Sequence, residues 1–515
     1  MSPHTHRRSF LSRRRRVVLG AGVAVVAGAL VVPTVNAATT PATSATPSVK
    51  RLHDDYNGDG YPDLAIGAPG TTADGHAKAG AISVVYGAAG GLSTSRKQIL
   101  TWPARWNSVN TLTSYGTQLQ SADLDEDGYA DLLSSVAMKH FDGYSGKVVV
   151  VNWGGPKGLS AEPTMLTGMP DAMHMRGFTV ADVDGDKHPD LVRLGVDATS
   201  TDPQGQHGAE SVTADGAVRH GPFTRDRLGT RTTYFDITPG EFEIADIVTS
   251  GDVNGDGIAD IAVSTHSTEE SDSRGVALLT GGADGFTSKG LLKDATGRLI
   301  GGEDLAIGDL NKDGYGDIVV GHSFDNYDSD VELPTQGGAL GVVYGGPGGL
   351  STTRKPVWIN QDTAGVPGAG EHGDGMGTGL SIGDTDGDGY LDVATGLPNE
   401  DLGSLTDAGS ALVLRGGAKG LTGTGAKVFT QDTAGVPGTA EKQDRFGAET
   451  ALLDANGDKK DGLIVGDADE NAGNGSVWIL SATASGITAS GASSFGGTTL
   501  GLPATGSRFG QFLND

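Results

Sequence analysis

One nine-residue pattern, acid, any residue, Asp or Asn, any residue, Asp, usually Gly, two further residues and a final Asp, occurs seven times in this 515-residue chain. The copies begin at Asp55, Asp123, Asp182, Asp252, Asp309, Asp384 and Asp454, at intervals of 68, 59, 70, 57, 75 and 70 residues. A repeat of this length that cannot bury an apolar face alone must stack on its neighbours. Each interval is long enough for four ordinary strands and their turns, the content of one propeller blade.

The flanks repeat as well. An apolar run follows each loop, as in Leu64-Ala65-Ile66-Gly67 and Ile318-Val319-Val320-Gly321. Several copies then reach a second run ending in a Gly-rich turn, at Val84, Val342 and Leu412. The 84 glycines lie among short β-branched runs such as Ile82-Ser83-Val84-Val85-Tyr86, so they read as turns between strands and the chain reads as all-β. The octapeptide starting at Gln361 recurs at Gln431, and a glycine stands seven residues before the loop at Gly116, Gly302, Gly377 and Gly447.

Carboxylates at alternate positions of a tight loop converge on one point, and calcium takes six to eight such oxygens. In the loop, positions one, three, five and nine supply side chains, and by analogy with calcium loops position seven supplies a carbonyl. The predicted ligand sets are Asp55, Asn57, Asp59, Tyr61 and Asp63; Asp123, Asp125, Asp127, Tyr129 and Asp131; and Asp182, Asp184, Asp186, His188 and Asp190. They continue with Asp252, Asn254, Asp256, Ile258 and Asp260; Asp309, Asn311, Asp313, Tyr315 and Asp317; Asp384, Asp386, Asp388, Tyr390 and Asp392; and Asp454, Asn456 and Asp458. The third loop has Lys187 where Gly is expected, and the seventh ends in Asp461-Gly462 and so lacks its last carboxylate. The third is expected to be the weaker site and the seventh to hold no ion. An EF-hand would need Glu at position twelve, where the seven copies carry Ile66, Ser134, Arg193, Val263, Val320, Thr395 and Val465.

With no cysteine, thiolate metal sites and disulfides are excluded. The formal charge of −27 and the lack of a basic stripe argue against nucleic acid and anionic membranes. Residues 1–37 carry a basic start, an apolar run from Val17 to Val32 and small residues at Val35-Asn36-Ala37, the form of a cleaved signal peptide. Arg7-Arg8-Ser9-Phe10-Leu11 suits the twin-arginine route, with the general secretory route as the alternative. Residues 38–48 read as a flexible lead-in and 49–515 as the propeller.

Phe446-Gly447, the loop from Asp55 to Asp63, and Ile66-Gly67-Ala68-Pro69 together resemble the FG-GAP repeat, the unit of the integrin α-subunit head, here in a secreted bacterial protein. The resemblance implies a seven-bladed β-propeller with several structural Ca²⁺ ions on one face and ligand recognition on the other. The chain ends in Arg508-Phe509-Gly510-Gln511-Phe512, an FG segment with no loop after it, while the first loop has no FG before it. The tail is therefore expected to complete the first blade by pairing of the N- and C-terminal strands.

On this reading the chain is a monomeric extracellular binding or adhesion-type module and not an enzyme, with an extracellular protein or glycan as partner and no membrane insertion after signal removal. Propeller enzymes acting on polysaccharide or lipid, and a structural module of a surface assembly, are the alternatives. Candidate contact loops are Ser323 to Gln336, with Phe324, Asp325, Tyr327 and Asp330, and Gln361 to Asp374, with Trp102 and Trp106 on another segment, and for any one of these aromatic residues packing between blades is the alternative to ligand contact. The G-x-S-x-G at Gly379–Gly383 precedes an Asp-rich loop rather than a helix, so Ser381 is expected on an ordinary strand. The LPxTG-like Leu502–Gly506 lacks the apolar tail of a wall anchor, and no histidine is expected in a metal cluster.

Overall fold

In a computed structural model of the chain the strands form seven four-stranded antiparallel sheets, one per repeat, and two short two-stranded ribbons, Asp197–Ala198 with Val212–Thr213 and Gly345–Gly346 with Gly349–Leu350. It describes residues 53–103, 111–139, 145–166, 175–195, 197–198, 212–237, 244–266, 274–325, 336–503 and 505–514. The leader and lead-in, and Trp106, Tyr327 and Asp330, lie outside the described residues. All the described residues fall in one compact unit, Val49–Asp515.

Blade one holds Leu64–Ala68, Ala81–Val85 and Lys97–Thr101. Blades two to seven open with the strands Thr111–Ala122, Phe178–Ala181, Ile244–Gly251, Asp304–Gly308, Thr378–Gly383 and Glu449–Leu453. Each opening strand leads through its Asp-rich loop into the second strand of the same sheet, for example Gly251 opposite Asp260 and Gly383 opposite Asp392. Blade one takes the missing strand from the other end of the chain: Phe512–Leu513 pairs with Gly67 and Ile66. The six opening strands and Phe512–Leu513 touch one another in a closed cycle, so they surround the axis. Helix is confined to Glu470–Gly473 and Gly497–Leu500 among the described residues.

The second strands are buried along their whole length in blades one, three, five and six, because each blade is covered on both faces by its neighbours. That is why they read as continuous apolar runs instead of alternating ones. The core is accordingly split into seven apolar clusters, one in each gap between adjacent blades. The repeated glycines fit this packing. A Cβ on Gly67, Gly321, Gly396 or Gly466, in the second strands, would run into the carbonyl oxygen of Gly116, Gly377, Gly447 or Gly510 of the next blade.

Because the strands alternate in direction, the Asp-rich loops share one face of the disc with the turns between third and fourth strands. The inter-blade segments and the turns after the second strands occupy the opposite face.

Candidate metal centres

All seven Asp-rich loops adopt one backbone form. The N–H of position six donates to the carboxylate of position one in every copy, at 2.8–3.1 Å. The N–H of position seven donates to position five, at 2.9–3.2 Å. Positions four and six both lie in the left-handed region, which glycine enters without strain. Where glycine is absent the chain takes that conformation regardless, at Lys187 with φ 75° and Lys459 with φ 68°. The third and seventh loops, irregular in sequence, therefore keep the common backbone.

Position nine plays a second part. Asp63, Asp131, Asp190, Asp260 and Asp317 are completely buried, and Asp392 almost so. Each accepts the N–H of the glycine after the third strand, as in Gly87 to Asp63 at 2.9 Å and Gly154 to Asp131 at 2.7 Å. Most also accept the N–H of position two, as in Tyr56 to Asp63 at 3.0 Å. Burial pushes these carboxyls up, to about 8 for Asp63 and about 7 for Asp131, Asp190 and Asp317. The backbone N–H donors partly offset that burial, and positive charge beside such a carboxyl favours its ionised form further.

Positions one, three and five bring an oxygen each to within 4.8 Å of one another in Asp123–Asp125–Asp127, Asp182–Asp184–Asp186 and Asp384–Asp386–Asp388. In loops one, four, five and seven position three is an asparagine, whose amide oxygen accepts the N–H of position five in three of them, at 2.8–2.9 Å. The donor set is all oxygen. Asp125 Oδ1 and Asn311 Oδ1 are buried without a hydrogen-bond partner, which fits a hard cation such as calcium.

Three arginines reach these carboxylates from elsewhere in the chain. Arg225 meets Asp125 at 3.1 Å and Asp127 at 3.0 Å, Arg231 meets Asp184 at 2.9 Å, and Arg415 pairs with Asp386 and Asp392. His220, expected to be no part of a metal cluster, is buried with Nδ1 3.0 Å from Asp184 and 3.4 Å from Asp190. These partners lie far from the loops in sequence, with no recurring spacing that would have marked them.

Position seven does more than offer a carbonyl. The side chains of Tyr129, Ile258, Tyr315, Lys460 and Tyr61 lie against the position-four glycines Gly58, Gly185, Gly255, Gly387 and Gly457 of the neighbouring loop. In the two copies without glycine the contact is polar. His188 pairs with Glu126, and Lys312 Nζ sits 4.7 Å over the Tyr390 ring and donates to Asp388 O at 2.9 Å. Every blade boundary thus carries one such pair.

Two cavities open among the described residues. One of about 510 Å³ is axial, lined by Gln118, Gln120, Thr249, Ser250 and His53 together with apolar residues of the opening strands. The other, about 400 Å³, lies between blades three and four, lined by His220, Arg231, Tyr234 and Phe286 among others. Of the two roles open to Trp102, ligand contact and blade packing, the structure gives the second: it is 1% exposed and packs on Tyr115 with ring centroids 5.5 Å apart. Ser381 lies on a strand as expected, accepting the Leu452 N–H of the next blade at 2.9 Å.

The family profile described as "FG-GAP repeat" matches residues 53–85 and 376–414, and that described as "FG-GAP-like repeat" matches 123–192. Human phosphatidylinositol-glycan-specific phospholipase D is 32% identical over 144 residues, 27% of this chain and 17% of that protein. Human integrin alpha-6 is 36% identical over 120 residues, 23% of this chain and 9% of that protein. The matched stretch is thus a small part of either relative. Among solved structures, the GH43_1 enzyme from Xanthomonas citri aligns over 63% of this chain and 87% of its own, at 9% identity and a TM-score of 0.29. A thermostable family-43 glycoside hydrolase aligns over 61% and 87%, at 11% identity and a TM-score of 0.28.

Proposed function

We propose, on the premise that this chain is an FG-GAP repeat protein, that it is a secreted calcium-binding scaffold whose ring presents loops to an extracellular protein or glycan. The observation that carries the reading is the convergence of three carboxylate oxygens within 4.8 Å at the loops of Asp123, Asp182 and Asp384, on a backbone common to all seven copies. At that separation two like charges repel by about 3 kcal/mol at an effective dielectric of 20. Calcium would supply the offsetting charge. Asp55, Asn57, Asp59 and Asp63 and their counterparts would hold it, with the carbonyl of position seven. At loops two, three and six the ion would have to displace Arg225, Arg231 and Arg415 from their carboxylates.

Binding to the folded state stabilises it by ~2.7 kcal/mol per site at a hundredfold excess over Kd, and so raises the melting temperature with ion concentration. Adding a chelator should therefore lower Tm, and an unchanged melting curve would sink the calcium assignment. Asp388→Ala should cost one bound calcium per chain in equilibrium dialysis.

Presentation of a ligand rests on the face opposite these loops, where the Gln361–Asp374 segment and the described part of Ser323–Gln336 lie. Asp325 ties the two together, accepting the N–H of Gly337 at 2.6 Å and of Gly373 at 2.7 Å. A screen against glycans, wall polymers and secreted proteins tests this part, and a blank result counts against it. The alternative, a propeller enzyme acting on polysaccharide or lipid, is favoured by the axial cavity. Its described lining holds one titratable side chain, His53, where acid–base catalysis normally uses a pair. Turnover in hydrolase or lyase assays would reverse the preference.

A further inference from the structure

The octapeptide that precedes blade six recurs unchanged before blade seven, and it is used the same way in both. Gln361 Nε2 donates to Glu400 Oε2, and Gln431 Nε2 to Glu470 Oε2, each at 2.9 Å. Asp374 and Asp444 then accept the N–H groups of Glu371 and Glu441, at 2.7 and 2.6 Å. One position breaks the symmetry. The second strand of blade six ends in Leu397, and that of blade seven ends in Asp467. Counted from the loop, the other blades place Ala68, Val136, Gly195, Thr265 and His322 there, so blade seven alone has an acid at this register.

Asp467 is fully buried and Asp444 is 4% exposed, and one oxygen from each lies within 4.8 Å of the other and of Glu470. Asp467 Oδ1 is satisfied by the N–H groups of Asp469 and Glu470, at 2.9 and 2.8 Å. Its Oδ2 is buried with no hydrogen-bond partner. Gln431, 2% exposed and bonded to Glu470 through its nitrogen, likewise has an amide oxygen with none. The arginines nearby do not serve this cluster: Arg445 and Arg508 turn to Asp469 instead, at 3.7 and 3.0 Å. Burial and the neighbouring acids push Asp467 up to about 8. Two unpartnered buried oxygens among three carboxyl groups are what a hard cation binds and what a protein interior otherwise avoids.

We propose that Asp444, Asp467 and Glu470, with the amide oxygen of Gln431, form a divalent-cation site in blade seven on the face opposite the Asp-rich loops. It is separate from the seventh loop, being roughly 17 Å from Asp461-Gly462 along a strand that rises ~3.3 Å per residue. The all-oxygen donor set selects calcium, magnesium or manganese over softer metals. An ion there would fasten the segment arriving from blade six, through Gln431 and Asp444, to the end of the second strand of blade seven and the start of the turn that follows it.

The test uses the whole chain, stripped with chelator and titrated with calcium. Bound ions are counted by equilibrium dialysis while tryptophan fluorescence is followed. Trp478 is the local reporter, since its Nε1 donates at 2.8 Å to Pro437 O, within the segment begun by Gln431. The expected result is one fewer calcium per chain in Asp467→Asn and in Asp467→Leu, the residue blade six tolerates at 1% exposure. Both variants, and Trp478→Phe, should also lose the calcium-dependent fluorescence change, which Asp388→Ala should keep. A full complement of ions in Asp467→Asn, or a Trp478 signal in the parent that ignores calcium, magnesium and manganese, would overturn the proposal.

Discussion

At the scale of single residues, the loops do two jobs with one backbone. Gly58 has φ +73° and faces the Tyr129 ring of the next blade, whereas Gly60 has φ +90° and nothing nearby. Gly60→Ala should cost about 1 kcal/mol, the strain of a left-handed alanine. Gly58→Ala should cost about 1–3 kcal/mol more, since the ring must also shift. Urea denaturation of the two variants measures the difference, and equal losses would remove the boundary contact. A second case is Asp374, which burial pushes up to about 7. Between the unfolded carboxyl value of about 3.9 and that pKa the folded chain holds a proton the unfolded chain lacks, so stability falls as pH rises through this window. Asp374→Asn keeps an acceptor for the Glu371 N–H and has no proton to lose. Its Tm should gain on the parent by roughly 2 °C between pH 5 and pH 8, and a pH-independent gap would mean that Asp374 is ionised throughout.

Among the elements, the C-terminal strand is short but tied in by side chains. Asn514 donates to Asp54 at 2.7 Å and to Asp63 O at 3.0 Å, and accepts the Ala65 N–H at 2.7 Å. Asn514→Ala strands those partners in a buried setting and should destabilise by about 2–4 kcal/mol, read as a lower denaturant midpoint; a loss under 1 kcal/mol would make the tail dispensable. The strands and loops were legible because each residue's role repeats at a fixed offset: second strands show as apolar runs, and the tail's Phe509-Gly510 shows as a surplus FG. What escaped the sequence lacks that periodicity. Trp102 stood open between ligand contact and packing because its segment leaves a blade, and the Tyr115 that decides for packing belongs to the next one. Arg225 reaches its loop across a blade boundary, and Arg231 and Arg415 reach theirs through the strand pairing of their own sheets. The Glu126–His188 and Lys312–Tyr390 pairs join a position the metal-ligand pattern leaves free to a position it uses only for its carbonyl, so the pattern gives no sign of the side-chain contact. Asp467 carried a faint mark, an acid where other copies are neutral, visible only once the register of the second strand is known.

For the whole molecule, a chain of formal charge −27 whose ring concentrates carboxylates on one face makes ionic strength a stability variable. In chelator, raising monovalent salt should raise Tm by screening those charges, and calcium should blunt the effect. A salt response of equal size with and without calcium would place the repulsion elsewhere. The closed cycle of inner strands has a further consequence. Asn514 touches Asp54, so the two ends of the described fold meet inside one sheet, and nothing in the packing of the other six boundaries depends on where the polypeptide is cut. A circular permutant with these ends joined by a short linker, and opened in an inter-blade segment instead, would present the same ring with a different blade completed by strands from both termini. The seam would then be a property of the gene's starting point, and the architecture a property of the cycle.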